Sequence, residues 1–331
     1  MLTIYSSPLQ GFTDFRFRNA FQQFFGGIDK YIAPYIRINE KQEIKPGYER
    51  DLLPANNRSL DLIPQIITKD ADEFLFVAKY VQKLGYNELN WNLGCPYLMI
   101  TKKGMGSGLL SMPEKIDEIL NRVCAETDIQ VSVKMRLGYE SSKEISYVLP
   151  VLERYRLANI TIHPRIGKQI YKGEVDLKAF ENCLGQTSHK IFYNGDITSI
   201  QRFREMKERF PAINHWMIGR GLISDPFLPA MIKADNPVYP GNRYEIFYSF
   251  HDALFSSYEE ALFGPKHLLM KMYSFWEFFI QSFPLSQKYL KRIKKAHNLG
   301  AYREVVQQIL YNEAVNRARQ GPDSYGGSNN Y

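Results

Sequence analysis

Short apolar runs alternate with amphipathic segments over the first two thirds of the chain. Runs of this kind, rich in Ile, Val and Tyr, are typical of buried parallel strands. Eight of them occur before residue 222, and they span residues 2–9, 30–36, 62–68, 87–93, 130–137, 158–164, 190–196 and 215–221. Segments with helical periodicity separate most of these runs. The two clearest predict helices over residues 70–85 and 112–127.

Eight strand–helix units predict a fold of the α/β class with a parallel sheet. Eight is also the number of strands that closes a (β/α)8 TIM barrel. An open doubly wound sheet is the competing interpretation, but it normally has a Gly-rich phosphate turn after its first strand. Here the first run continues into SPLQGFTD, residues 7–14, which lacks that turn. The sequence therefore favours a barrel, whose active site would lie at the carboxyl ends of the strands.

The pattern changes after a Pro/Gly/Asn-rich break at residues 235–242. Beyond the break no strand-like run occurs, and four segments have helical periodicity: 244–263, 265–283, 286–299 and 301–320. We therefore expect a TIM-barrel domain over residues 1–238 and a C-terminal all-helical domain over 242–320. The polar segment GPDSYGGSNNY, residues 321–331, is expected to be a disordered tail.

The composition of the 331 residues is ordinary for a globular protein, with 44% hydrophobic and 23% charged residues. No apolar run reaches the ~18–20 residues of a membrane span, and the N-terminus lacks the features of a signal peptide. Cys95, Cys124 and Cys183 are widely spaced and odd in number, which argues against a disulfide framework. No CxxC or HxxxH pair indicates zinc. We expect a cytoplasmic protein without membrane or metal.

Polar side chains and glycines collect where the predicted strands end. In a barrel these ends meet at one face, so groups far apart in sequence would surround one site. Each group alone has an ordinary structural explanation, such as a solvated lysine, a buried cysteine or a turn. Their joint occurrence favours a functional site. The groups are Pro8, Gln65, Asn92 with Cys95, Lys134 with Arg136, His163 with Arg165, Asn194-Gly195-Asp196 and Gly219-Arg220-Gly221.

Glycines at the ends of the last two predicted strands indicate a phosphate site. At Gly195 and Gly219 the backbone N–H groups can approach a phosphate, and Arg220 supplies positive charge. The loops after strands seven and eight are the common phosphate site of TIM barrels. A flavin phosphate bound there would place the flavin ring across the barrel mouth.

Three further strand ends would then surround that ring. Lys134 could reach the N1/C2 edge of the ring and stabilise its reduced anion. Gln65 could hydrogen-bond the polar edge, and the backbone around Pro8 and Leu9 could pack beneath it.

With these motifs the sequence resembles the tRNA-dihydrouridine synthases, flavoenzymes with a barrel and a C-terminal helical domain. The matching motifs follow the family's order from residue 6 to about residue 229: SPLQGFTDFRFR, NLGCP, SVKMRLG, IHPRIGKQIYKG, NGDI and MIGRGLISDPFL. Three departures occur. Gln10 replaces a small or acidic residue, Pro164 replaces a Gly, and APYIRIN (33–39) stands where many members have Thr-Glu-Met.

The resemblance implies FMN as cofactor, NADPH as electron donor and tRNA as substrate. It implies Cys95 as the catalytic acid and Asn92 as a contact to the target uracil. It implies that the residues that bind the flavin are Gln65, Lys134, His163, Asn194, Asp196, Gly219 and Arg220. Arg165, Gln169 and Tyr171 match family positions near the substrate.

A thiol suits the implied reaction. Hydride from reduced flavin N5 adds at C6 of uracil, and the resulting enolate is protonated at C5. A cysteine with an ordinary pKa near ~8.5 is mostly protonated at neutral pH, so Cys95 can deliver that proton. A nucleophilic cysteine usually has a base such as His beside it. NLGCPYLMI contains no His, so the sequence favours the role of an acid.

A uracil inside folded tRNA must be flipped out to reach a barrel mouth, at a cost of a few kcal/mol. Basic surface beside the pocket is therefore expected, and the net charge of +7 permits it. The candidates are Lys102 and Lys103 after Cys95, and Lys288, Lys291, Arg292, Lys294 and Lys295 in a C-terminal helix. A solvated charged face is the ordinary alternative. Nothing in the sequence indicates an obligate protein partner.

Two other functions stay open. The first is another FMN-dependent TIM-barrel oxidoreductase acting on a small pyrimidine or enone, similar to a dihydroorotate dehydrogenase, which leaves the basic helical segment unexplained. The second is a non-catalytic RNA-binding protein with a decayed site. The intact set of strand-end residues argues against it.

Overall fold

The eight apolar runs form nine parallel strands in the part of the chain that the structure describes, residues 1–39 and 41–320 of a computed structural model. The third run is divided at Pro64, which has no N–H to donate to a ladder. The strands are β1 (Thr3–Ser6), β2 (Lys30–Ile32), β3 (Leu62–Ile63), β4 (Gln65–Ile66), β5 (Glu88–Leu93), β6 (Gln130–Gly138), β7 (Ile160–Ile166), β8 (Ile191–Tyr193) and β9 (His215–Ile218). The predicted tail, residues 321–331, lies outside the described residues.

The sheet closes on itself through the divided strand. Its order is β3-β2-β1-β9-β8-β7-β6-β5-β4, so the two ends of the order are the two halves of one run. Beyond Pro64 the N–H of Ile36 donates to the carbonyl of Gln65 at 2.7 Å, which continues the pairing across the junction. The prediction of a TIM barrel is confirmed, and the open doubly wound sheet is wrong.

Helices surround the barrel or lie at its mouth. They are α1 (Phe15–Phe24), α2 (Pro46–Leu52), α3 (Ala71–Lys83), α4 (Leu98–Thr101), α5 (Pro113–Glu126), α6 (Ile145–Leu152), α7 (Leu177–Leu184), α8 (Ile200–Arg209), α9 (Arg220–Ser224) and α10 (Leu228–Ala234). The Asp70 carboxylate caps α3 by accepting from the N–H groups of Asp72 and Glu73. The two predicted helices over 70–85 and 112–127 are therefore confirmed as α3 and α5.

The barrel interior is apolar on one side and polar on the other. On the apolar side a separate cluster joins strands β1, β2, β3, β8 and β9, and it consists of Tyr5, Ile32, Ile63, Phe192 and Met217. On the polar side Gln65, Asn90 and Ser132 occupy neighbouring register positions on β4, β5 and β6 and are buried. Buried polar groups need hydrogen-bond partners, so this side is an ordered network.

Helices follow the break near residue 240, as predicted. They are α11 (Arg243–Glu259), α12 (Pro265–Phe279), α13 (Leu290–Lys295) and α14 (Leu299–Gln320). The single helix predicted over 286–299 is instead a 3-10 segment, Pro284–Tyr289, followed by the short α13. At the end of this segment Asn298 caps α14, because its side chain accepts from the N–H of Ala301.

The C-terminal helices pack directly on the barrel. The ring of Phe17 in α1 lies 6.0 Å from that of Phe250 and 5.7 Å from that of Phe275. The Lys271 ammonium donates to the carbonyl of Gly11 at 2.5 Å, which ties α12 to the loop after β1. One apolar core therefore runs through both regions, and the division into two domains stays a prediction. None of the described helices is long and apolar enough to cross a membrane.

Candidate active site

The carboxyl ends of the strands form an open cleft. Nine of the ten residues predicted to hold a cofactor line this cleft: Pro8, Leu9, Lys134, His163, Asn194, Gly195, Asp196, Gly219 and Arg220. Residues from five different strand ends therefore converge, as expected for a TIM-barrel site. Gly221, named with the strand-end groups, also lines the cleft, and sequence reasoning missed four further lining residues that adjoin these motifs: Ser7, Ile197, Thr198 and Met217.

Gln65 is the exception, because it is fully buried inside the barrel. Its Nε2 donates to Oδ1 of Asn90 at 2.7 Å, and its Oε1 accepts from Nδ2 of Asn92 at 2.9 Å. Asn90 in turn donates to the hydroxyl of Ser132 at 2.9 Å. Gln65 thus links the polar interior to the loop after β5, and its contact with a flavin stays a prediction.

The loop that carries Cys95 is held at two points. Oδ1 of Asn92 accepts from the N–H groups of Gly94 at 3.0 Å and Cys95 at 2.9 Å. The N–H and the hydroxyl of Ser107 both donate to the carbonyl of Cys95 at 3.0 Å. Gly106 permits this approach, because it has φ of 59° and a Cβ there would lie 2.7 Å from the same carbonyl oxygen. The predicted contact of Asn92 with uracil stays a prediction.

The Cys95 side chain is buried in a small apolar cluster. Tyr35 packs against this cluster, whose other members are Ile67, Ile100 and Met105. Burial raises the pKa of the Cys95 thiol. Hydrogen bonds from the N–H of Tyr97 and the hydroxyl of Tyr35 oppose that rise without cancelling it. The thiol is therefore protonated at neutral pH, the state that a proton donor needs.

Lys134 is half-buried beside this loop, in register with Asn92 on the neighbouring strand. Burial and the nearby Arg136 guanidinium lower the pKa of Lys134 to about 7. In the described part of the chain no carboxylate forms an ion pair with its ammonium. An anionic group in the cleft would supply the missing partner and favour the charged form of the lysine.

The end of the cleft after β8 and β9 has the donors of a phosphate site. Within residues 1–39 and 41–320 no acceptor contacts the N–H groups of Gly195 and Asp196. The N–H groups of Arg220 and Gly221 lie in the first turn of α9 and have no intrahelical partner. A Cβ on Gly221 would lie 2.1 Å from the carbonyl oxygen of Ile197, so only glycine fits. The residues present therefore fit the phosphate of an anionic cofactor.

Asp196 organises the charges at this end. Its carboxylate accepts two hydrogen bonds from Arg165, at 3.0 and 2.5 Å, and one from Arg220 at 2.8 Å. Burial by itself would raise the pKa of Asp196, but the hydrogen bonds and charges of Arg165 and Arg220 outweigh it and lower the pKa. Asp196 is thus ionised and fixes the direction of the Arg220 side chain.

Arg165 is buried and does not line the cleft. Besides Asp196, its guanidinium donates to the carbonyl of Gly173 at 2.7 Å and contacts Nε2 of His163 at 3.1 Å. Burial, followed by the charges of the surrounding arginines and Lys134, lowers the pKa of His163 well below its usual value. His163 is therefore neutral and accepts from Arg165. A substrate contact of Arg165 stays a prediction.

Tyr171 lines the cleft between two guanidinium groups. The Arg220 and Arg136 guanidinium carbons lie 4.7 and 5.4 Å from its ring centroid. The preceding Ile170 has φ of 53°, which is unusual for a β-branched residue, and its carbonyl accepts from Arg136 at 2.5 Å. Oε1 of Gln169 accepts from the N–H of Ile166 at 2.8 Å and so fixes the same turn. Substrate contacts of Gln169 and Tyr171 stay predictions.

The predicted basic residues are exposed. Lys102 and Lys103 lie on the loop after Cys95, and Lys288, Lys291, Arg292, Lys294 and Lys295 lie on the 3-10 segment and α13, with Ile293 buried beneath them. Their contact with RNA stays a prediction. Among the residues described, no group of three or more His, Cys, Asp or Glu side chains could hold a metal ion.

Sequence reasoning did not assign two residues that hold the loops together. Arg136 donates to the carbonyls of Gly94 at 3.0 Å, Ile166 at 2.9 Å and Ile170, and so joins the loops after β5 and β7. Tyr35 lies in the segment that departs from the family pattern and contacts the Cys95 sulfur. The only sequence signal for Tyr35 was that departure.

The chain matches one protein family over nearly its whole length. The sequence model of the family described as dihydrouridine synthase (Dus) matches residues 5–309. The chain is 26% identical over 230 residues to a tRNA-dihydrouridine synthase B of Pasteurella multocida, covering 68% of this chain and 67% of the relative. It is 27% identical over 264 residues to a probable tRNA-dihydrouridine synthase of Rhodobacter capsulatus, covering 77% of this chain and 81% of the relative.

Solved structures support the fold. The old yellow enzyme from Trypanosoma cruzi superposes with a TM-score of 0.51 at 10% identity, over 75% of this chain and 92% of that one. A morphinone reductase mutant in complex with tetrahydroNAD superposes with a TM-score of 0.50 at 10% identity, over 70% of this chain and 86% of that one.

Proposed function

Because the chain belongs to the dihydrouridine synthase family of flavin-dependent oxidoreductases, we propose that it reduces the C5=C6 bond of a specific uridine in tRNA, with FMN as the bound cofactor and NADPH as the electron donor. One observation carries this proposal. A protonated thiol, Cys95, is held in a fixed loop beside a cleft whose far end has the free N–H groups and the arginine of a phosphate site.

Different residues of the cleft would hold the phosphate and the ring of the cofactor. The N–H groups of Gly195, Asp196 and Gly221 and the guanidinium of Arg220 would hold the phosphate. Lys134 would hold the opposite, polar edge of the ring, where its charge gains an anionic partner. When bound, the flavin supplies the hydride that is added to C6 of the uracil.

Cys95 completes the reduction with a proton. Its S–H bond breaks and a C–H bond forms at C5 of the uracil, so the electron pair of the S–H bond stays on sulfur. The N–H of Tyr97 and the hydroxyl of Tyr35 stabilise the resulting thiolate. The thiolate takes a proton from water once the product has left. The high pKa of the buried thiol favours this return to the protonated state.

The substrate class follows from the basic surface. A uridine must leave its stack to enter the cleft, and contacts to the RNA backbone offset that cost. The exposed lysines after Cys95 and on α13 can supply such contacts. A reductase of free pyrimidines or enones would not need these lysines. A non-catalytic RNA-binding protein would not need the fixed thiol.

The test is reconstitution with purified protein. We expect bound FMN, identified by mass spectrometry, and NADPH-dependent conversion of unmodified tRNA to dihydrouridine-containing tRNA. Cys95→Ala should bind flavin and tRNA but lose most single-turnover reduction, whereas Cys124→Ala, at an exposed cysteine on α5, should retain it. Equal reduction of free uridine or orotate would instead favour the small-molecule reductase. A protein that cannot be loaded with flavin would support the non-catalytic alternative.

A further inference from the structure

Three large apolar side chains stand exposed directly after the Cys95-Pro96 step. Tyr97 is 48% exposed, Leu98 62% and Met99 70%. We call these three residues the apolar lip. Single exposed apolar residues are common, but three in succession beside a cleft are typical of an interaction surface.

The apolar lip is held in one conformation by the turn that carries it. The carbonyl of Tyr97 accepts from the N–H groups of Ile100 at 2.8 Å and Thr101 at 3.0 Å, and that of Leu98 accepts from Lys102 at 3.0 Å. Ile100 and Thr101 are themselves buried. The backbone of the lip is therefore preorganised, so little backbone entropy is lost when a partner covers it.

The apolar lip adjoins the active site on one side. The N–H of Tyr97 contacts the Cys95 sulfur, and the Tyr97 phenol lies within electrostatic range of Tyr171, which lines the cleft. The lip therefore lies next to the Cys95 side of the site.

Positive charge borders the lip on the other side. Lys102 and Lys103 follow it on the same loop, and Nζ of Lys69 lies 3.7 Å from where a Cβ of Gly104 would stand. Across the described ranges, none of these three lysines forms an ion pair with a carboxylate. A second copy of this chain, with the same net charge of +7, would bring like charges together there. Unpaired nucleobases with their phosphates match both the apolar and the cationic part.

We propose that the apolar lip stacks against the nucleobases that flank the uridine in the cleft, while Lys102 and Lys103 contact the phosphates beside them. This proposal rests on the proposed function and names a contact surface for its RNA substrate. The lip fills the space that the extruded uridine leaves, and so favours the flipped state of the RNA.

The test compares Leu98→Ser/Met99→Ser with Tyr147→Ser/Val238→Ser. The control removes two apolar side chains of similar exposure, 66% and 68%, away from the cleft. Unmodified tRNA transcripts are the probe, and flavin absorbance with circular dichroism checks both proteins. We expect kcat/KM for tRNA to fall by about tenfold or more in the lip variant and by less than about twofold in the control, because the flanking bases cover the apolar surface of Leu98 and Met99 on binding. Ultraviolet cross-linking should attach RNA to the wild-type peptide that contains Tyr97.

Three results would overturn the proposal. The first is equal kcat/KM in the two variants. The second is absence of cross-links at the lip while the same mixture forms dihydrouridine. The third is a change in the oligomeric state of the lip variant, by light scattering, without any change in tRNA kinetics. A wild-type enzyme that forms no dihydrouridine would contradict the proposed function itself, so the two failures are distinguishable.

Discussion

Asn92 fixes the backbone of Cys95 with one oxygen atom. Its Oδ1 accepts from the N–H of Cys95 at 2.9 Å and also from the N–H of Gly94, while its Nδ2 donates to Gln65. A carboxylate could accept these bonds but could not donate to Gln65. Asparagine therefore connects the position of the thiol to the polar interior of the barrel.

Asn92→Ala should release the Cys95 loop without removing the thiol. A displacement of about 1 Å at a reacting group can reduce turnover about a hundredfold, so we expect a loss of this order in dihydrouridine formation. Alkylation of Cys95 by iodoacetamide should become several times faster, because the sulfur loses its burial. Peptide mass spectrometry measures this rate, with the exposed Cys124 as internal reference. An unchanged ratio of the two rates would show that Asn92 does not hold the loop.

Lys134 should make the stability of the flavin-free protein depend on pH. Burial, followed by the Arg136 charge, lowers the pKa of Lys134 from 10.5 to about 7. Between these two values the unfolded chain binds the proton that the folded chain has released, so the free energy of unfolding rises with pH. We expect Lys134→Met to lose this rise between pH 7 and 10, measured as Tm relative to wild type. The exposed Lys143→Met should keep the wild-type slope, and a parallel slope for both variants would refute the assignment.

Asp196→Asn should destabilise the barrel, because it leaves the buried Arg165 without its counter-ion. Removing one partner of a buried ion pair costs about 3–5 kcal/mol. Since Asp196 is partly exposed, we expect the free energy of unfolding to fall by about 3 kcal/mol, measured by urea unfolding at pH 7. The pKa of Asp196 is lowered, so its contribution is present above pH 3.8 and is lost as the pH falls through the folded pKa.

Asp235→Asn is the matched control for this substitution. Asp235 pairs with Arg204 on the surface, and such exposed pairs contribute about 0–1 kcal/mol. Equal destabilisation of the two variants would mean that Arg165 does not depend on Asp196.

The sequence predicted which residues meet, because strand ends of a closed barrel share one face. Lys134, His163 and Arg220 come from different strands and line one cleft, as their positions at strand ends required. The closure itself was also predictable from the eight apolar runs. The division at Pro64 changes the number of strands but not the number of runs.

The sequence did not predict which polar groups would pair with each other. Arg165 and Arg220 look equivalent as strand-end arginines and both pair with Asp196, yet the first is buried and the second lines the cleft. That difference depends on strand register and on the turn at Gly173, which a single sequence does not specify. Tyr35 reaches Cys95 for the same reason, since their contact joins loops after β2 and β5.

Substitutions on helix α13 can test whether the RNA backbone lies beside it. Lys291 and Lys295 are exposed, whereas the Arg292 guanidinium donates to Gln308, so these two lysines are the charges chosen for removal. Each phosphate contact contributes about 0.7–0.9 to the slope of log K against log salt concentration. Lys291→Gln/Lys295→Gln should therefore weaken tRNA binding and reduce that slope by about 1.5, measured by filter binding between 50 and 200 mM salt. Lys143→Gln/Lys178→Gln removes the same charge from exposed sites on the barrel and should change the slope little. Equal slopes for both double variants would show that general charge, and not this helix, attracts the RNA.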